Sequence, residues 1–191
     1  MHCQQWVIAE PDSSVAWYHL GNAFLNMKKF PEAIEPFERC VALDPGLAEA
    51  WNNLGIVSMI TRKGNPVDMF AKAIALKPGY AEAWNNFGVA IKELHPERSL
   101  RAYRKAIRLK PDYADPWSNL ADNYWRSGNP EAAIDAYLHA IAIRKDYPEA
   151  WSRLTHICRH LPDVGTRHEV LDELRQLDPV RSESFARQVL P

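Results

Sequence analysis

The sequence predicts an all-α solenoid, built by stacking copies of one helix pair. Two observations carry this. Trp17, Trp51, Trp84, Trp117 and Trp151 stand 34, 33, 33 and 34 residues apart. Prolines keep the same beat at Pro11, Pro45, Pro78 and Pro111, lapse at Lys145 and return at Pro179. Two unrelated residue types on one period mark a supersecondary unit copied along the chain.

The first helix of each unit is read from the Trp. Three residues on stand Leu20, Leu54, Phe87, Leu120 and Leu154, and four on stand Gly21, Gly55, Gly88, Ala121 and Thr155. Seven on stand Phe24, Ser58, Ile91, Tyr124 and Cys158. These offsets lie on one face of a helix of 3.6 residues per turn. The small residue in that stripe predicts another backbone in close approach.

The second helix is read backwards from the proline beat. Eight residues before it stand Phe37, Phe70, Tyr103, Tyr137 and Leu171, and five before it Cys40, Ala73, Ala106, Ala140 and Leu174. The proline closes the unit because it lacks a backbone donor and restricts the residue before it. Each unit is thus helix A, a turn, helix B and a second turn. Neither helix buries its stripe alone, so neighbouring units must stack.

Trp-x-x-Leu-Gly, an aromatic three residues further, a distal Phe or Tyr followed by Ala, and a closing Pro resemble the tetratricopeptide repeat over nearly the whole chain. The resemblance implies a right-handed superhelix of antiparallel helix pairs, with the A helices lining a concave groove. It also implies a single domain over 1–191. A partial N-terminal helix or cap at 1–13 precedes repeats at 14–47, 48–80, 81–113, 114–147 and 148–180, and a capping helix fills 181–191. The fifth repeat is degenerate, with Thr155 for the small Gly and Arg167 where helix B normally has Ala. In the cap, Trp6 either continues a longer array or folds over the first repeat, and Phe185 takes the Trp slot. The place of the Gly64-Asn65-Pro66 turn predicts a longer helix A and a late helix B in repeat two.

Composition excludes several classes. Formal charge is −1, and no basic run interleaves with aromatics, so no nucleic-acid partner is expected. No apolar run approaches the roughly 18 residues a membrane span needs. The opening residues carry no signal-peptide pattern. Three cysteines without a spacing motif suggest reduced thiols and a cytoplasmic setting.

No catalytic constellation stands out, and neither an enzyme activity nor a cofactor is expected. There is no Gly-rich phosphate loop, nucleophile elbow or CxxC pair. The best metal candidate, His156 with His160 and the nearby His168, lacks a third ligand of fixed geometry. It reads as polar groove residues, and no metal is expected. The acidic row two before each Trp (Glu49, Glu82, Asp115, Glu149) reads as solvated helix starts favoured by the helix dipole.

Function is expected on the A-helix face not used for packing. One residue after each Trp, that face holds Tyr18, Asn52 and Asn85. Two after, it holds Asn53, Asn86 and Asn119, flanked by His19 and Arg153. A primary amide has both a donor and an acceptor, so it can pair with a peptide bond whatever side chain follows. The recurring amides resemble the asparagine ladder of the repeat domain of O-GlcNAc transferases, a likeness covering Asn53, Asn86 and Asn119 only. Further along stand Asn22, Ile56, Val89, Asp122 and His156, then Trp125 and Arg126. The groove is expected to be apolar around repeats one to three and basic around repeats four and five. The family's carboxylate clamp is not expected, because Tyr18 and Glu82 occupy two of its positions.

The expected function is a non-catalytic scaffold that binds an extended or short helical segment of a protein partner. Two alternatives stay open: a substrate-selecting arm of a larger enzyme such as a glycosyltransferase, and a scaffold that self-associates through its ends.

Overall fold

The computed structural model describes residues 2–161 and 163–190, and among these there are helices and no strand. A short helix α1 (His2–Ala9) leads into α2 (Ser14–Asn26) and α3 (Phe30–Leu43). Then come α4 (Ala48–Thr61) with α5 (Pro66–Leu76) and α6 (Ala81–Ile91) with α7 (Pro96–Leu109). The remainder is α8 (Ala114–Arg126) with α9 (Pro130–Ile143), α10 (Pro148–His160) with α11 (Val164–Leu177), and α12 (Pro179–Val189). The chain divides into two compact units, Met1–Ala102 and Tyr103–Pro191, and the division falls inside α7.

In the first unit α2 packs on α3, α3 on α4, α4 on α5 and α5 on α6, and α4 also touches α2 and α6. The A helices therefore lie side by side. The core between A and B layers is made by Phe37, Phe70, Leu54 and Val57, with Ala33, Cys40, Ala50 and Ala73 filling the gaps. At the start of the chain, Val7 packs with Ala16 and Leu20, and Trp6 lies against them and stacks on His19 at 5.6 Å.

The recurring small residue has a different cause from the one expected. A Cβ at Gly21 would stand 2.7 Å from the Phe37 ring, and one at Gly55 2.6 Å from Phe70. It is an aromatic side chain of helix B, not a backbone, that demands glycine there. The fifth repeat has Thr155 at the small-residue position and Leu171 at the aromatic one, and the Thr155 hydroxyl donates to Trp151 O at 2.8 Å.

The Trp and Pro beats are one device. Trp17, Trp51 and Trp84 each donate the indole N–H to the carbonyl of the proline six residues earlier, at 2.7, 2.9 and 3.0 Å. Trp151 makes the same bond to Lys145 O at 2.9 Å. A basic side chain of helix B covers the ring in two repeats, Arg39 over Trp17 and Lys72 over Trp51.

The turn Gly64-Asn65-Pro66 has a clear division of labour, repeated at Gly128-Asn129-Pro130. Gly64 and Gly128 take φ of +77° and +76°. The Asn65 and Asn129 side chains accept from Val67 N and Ala132 N, and proline starts the helix. In repeat two, α4 is one residue longer than α2 and α5 three shorter than α3.

In the second unit α8 packs on α9, α9 on α10 and α11, and α12 on both α10 and α11. Pro179 is the first residue of α12, two residues before the start of the expected capping helix at 181. Asp178 ends α11 and caps α12 by accepting from Arg181 N at 3.1 Å. Phe185 is buried, while Glu183, Arg187 and Gln188 are exposed. Arg167, the departure from repeat composition in α11, donates to Val189 O at 3.0 Å and to Leu161 O. It therefore ties the ends of α12 and α10, which an alanine cannot do.

The acidic row is not merely solvated. Glu49 is held by the Lys77 ammonium at 2.6 Å, and Asp115 by Arg144 at 2.5 Å and by the Tyr147 hydroxyl at 3.0 Å. Both cations also cover a ring, Lys77 that of Tyr80 and Arg144 that of Tyr147. Each pair clasps the start of helix A to the end of helix B.

Candidate functional site

In the first unit the groove residues come from α2, α4 and α6. Five asparagines on these helices form one hydrogen-bonded chain. Asn85 Nδ2 donates to Asn86 Oδ1 at 3.5 Å, and Asn86 Nδ2 to Asn52 Oδ1 at 2.9 Å. Asn52 Nδ2 then donates to Asn53 Oδ1 at 3.2 Å, and Asn53 Nδ2 to Asn22 Oδ1 at 2.8 Å. The chain crosses from repeat three to repeat one.

Burial separates the members. Asn52 and Asn85 are only 3% and 5% exposed, so these two do not belong to a ligand-facing surface. A buried amide must be hydrogen-bonded: Asn85 donates to Asn86 within its own helix, and Asn52 bridges repeats two and three by accepting from Asn86. Asn22, Asn53 and Asn86 are half-buried, as are Ile56 and Val89 beside them. Tyr18 is half-buried too, with its ring edge-on to Phe37 at 6.2 Å. Offset +1 lies on the border of the packing stripe, so Asn52 and Asn85 turn inward rather than onto the expected groove face. A signal existed: a pair of adjacent asparagines, Asn52-Asn53 and Asn85-Asn86, occurs in both repeats.

In the second unit Asn119, Asp122 and Trp125 are half-buried on α8, and Arg126 is exposed at its end. Arg153 and His156 are exposed on α10. Contacts between these helices include Arg153 Nε at 3.8 Å from Asp122 Oδ1 and the Trp125 and His156 rings edge-on at 6.2 Å. Asp122 also accepts from the buried Tyr137 hydroxyl of α9. Burial first, and then the bond to Asp122, push the Tyr137 phenol well above its usual range, so it stays a donor.

The histidines do not converge. His156 and His160 have ring centroids 4.4 Å apart, but the Nδ1 of His160 is engaged with its own helix at His156 O. His168 Nδ1 is likewise engaged with Val164 O. Among the described residues no group of three or more His, Cys, Asp or Glu is placed to hold a metal ion. Among the same residues, no helix is long and apolar enough to cross a membrane.

Helix pairs on a 33–34-residue beat, presenting a wall of A-helix amides, define a repeat scaffold for protein–protein interaction. The chain is a tetratricopeptide repeat protein. Residues 14–47 and 114–147 match the family described as tetratricopeptide repeat, and residues 97–128 match the one described as TPR repeat. No curated protein sequence matches the chain. Among solved structures it is similar to MamA, with 26% identity and a TM-score of 0.67 over 75% of this chain and 85% of that one. It shares its fold with YrrB, described as a TPR protein with an unusual peptide-binding site, at 14% identity and TM-score 0.68, covering 94% and 93% of the two chains. It also shares it with PilF of Pseudomonas aeruginosa at 18% identity and TM-score 0.73, covering 91% and 83%.

Proposed function

We propose that the chain is a non-catalytic scaffold whose first unit holds an extended polypeptide segment along α2, α4 and α6. The amide chain carries this reading. A primary amide has two N–H groups and two lone pairs. At Asn53 and Asn86 the inter-asparagine bonds use one of each. The other N–H and lone pair are left for the C=O and N–H of a bound main chain. Ile56 and Val89, half-buried alongside, offer apolar contact for its side chains. The peptide-binding site named for YrrB, on the same fold, supports the reading.

Selection from a displayed library of random linear peptides tests it. The enriched peptides should include a class with apolar positions and no shared charge pattern. Asn53→Ala with Asn86→Ala should weaken them by about tenfold, since each lost hydrogen bond is worth roughly 0.5–1.5 kcal/mol. No enrichment, or unchanged affinity in the double variant, would reject the proposal.

A further inference from the structure

We infer that the A-helix face of the second unit, formed by α8 and α10, takes an acidic peptide segment anchored by an apolar residue on Trp125. The inference rests on the reading that A-helix faces of this fold bind polypeptide, and it names a different ligand chemistry for this unit.

Charge and its distribution carry the argument. Arg153, His156 and His160 stand at i, i+3 and i+7 on α10, so they form one exposed stripe, with the exposed Arg159 beside it. The exposed Glu149 stands one turn before Arg153 on α10, and across from the stripe on α8 stands Asp122. It does not silence the stripe, because the Tyr137 hydroxyl holds it from the core side and Arg153 approaches it only at 3.8 Å with Nε. Arg153 remains 60% exposed, with its two terminal nitrogens available for a bidentate carboxylate bond. Trp125 is half-buried, braced edge-on by His156, and offers a rigid apolar surface beside that stripe. Aromatic and guanidinium groups side by side are the usual anchors of a polypeptide interface. The first unit's wall, by contrast, is built of amides and aliphatic groups.

A nucleic acid fits less well. Arg153 and Arg159 are few cations for a phosphate backbone, and the chain's formal charge of −1 gives no long-range attraction.

The test uses the full chain and a fluorescein-labelled peptide of glutamates around a central phenylalanine, read by anisotropy. The same peptide with glutamines and a labelled oligo-uridine are the comparisons. The glutamate peptide should bind at least about tenfold tighter than the glutamine peptide in about 50 mM salt, and that advantage should shrink in about 0.5 M salt. Arg153→Gln with His156→Gln should abolish the advantage at unchanged Tm, since both side chains are exposed. Asn53→Ala with Asn86→Ala should leave it intact, which separates this inference from the reading of the first unit. Equal binding of glutamate and glutamine peptides, survival of the advantage in the Arg153/His156 variant, or tighter binding of oligo-uridine would overturn it.

Discussion

Trp151 donates its indole N–H to the carbonyl of Lys145, and Trp51 makes the same bond to Pro45, each at 2.9 Å. The acceptor belongs to the main chain, so the bond survives where the proline beat lapses. Trp117 is the exception: its buried Nε1 has no hydrogen-bond partner, and its ring stacks on His139 at 4.4 Å. Trp51→Phe should therefore lower stability by about 0.5–1.5 kcal/mol, whereas Trp117→Phe should be neutral or stabilising. Urea unfolding of the two variants checks the contrast.

Gly55→Ala should destabilise by about 1–3 kcal/mol, because the new methyl falls inside contact distance of the Phe70 ring. Adding Phe70→Leu should recover part of that loss, since the fifth repeat combines Thr155 with Leu171 at the corresponding sequence positions. A double-mutant cycle measures the coupling, and additive effects would count against the ring as the cause.

Arg167→Ala restores repeat composition yet should weaken the end of the chain. It removes the donors to Val189 O and Leu161 O. Hydrogen bonds to charged groups are worth about 1.5–3 kcal/mol, so protection of the α12 amides should fall by roughly tenfold or more in hydrogen exchange. Amides of α4 should be unaffected.

Cys40 and Cys158 are fully buried, and burial pushes both thiols up to about 11. Asp44 adds to the rise at Cys40, while Arg167 opposes it at Cys158. Only the thiolate reacts. At pH 8 a disulfide reagent should therefore modify the partly exposed Cys3 rapidly, and the other two only on unfolding. Three fast thiols in the folded protein would contradict the packing described.

The Lys77 hydrogen bond holds the Glu49 carboxyl below its ordinary value of 4.5. A carboxylate lowered on folding stabilises fully above its unfolded value, and that stabilisation is lost as pH falls through the folded one. Lys77→Met should thus lower Tm only slightly at pH 7, because the pair lies at the surface and solvent screens it. The difference from the parent protein should shrink as pH falls below the carboxyl's ordinary range.

Much of the helical framework was legible because Trp, Pro and the small residue repeat in one dimension. Their partners were not. Glu49 meets Lys77 and Asp115 meets Arg144 across 28 and 29 residues, a pairing that depends on how helix A and helix B lie against each other. Yet each cation stands directly before the beat position, a regularity that side-chain identity alone could have exposed. The Trp–Pro bond was hidden for another reason, since a backbone acceptor leaves no mark on composition. Arg167 looked like decay of the repeat because its targets are carbonyls at two helix ends. The burial of Asn52 and Asn85 turns on a rotation of a few tens of degrees about the helix axis, finer than a 3.6-residue period resolves.

The asparagine chain runs in one sense, each amide accepting from the neighbour behind and donating to the neighbour ahead, from Asn85 through to Asn22. Aligned bonds of this kind polarise one another. Rotating one amide by half a turn would set donor against donor or acceptor against acceptor, so the row keeps its orientation as a whole. A strand laid along it meets a wall with a head and a tail, and its two possible directions of travel are not equivalent.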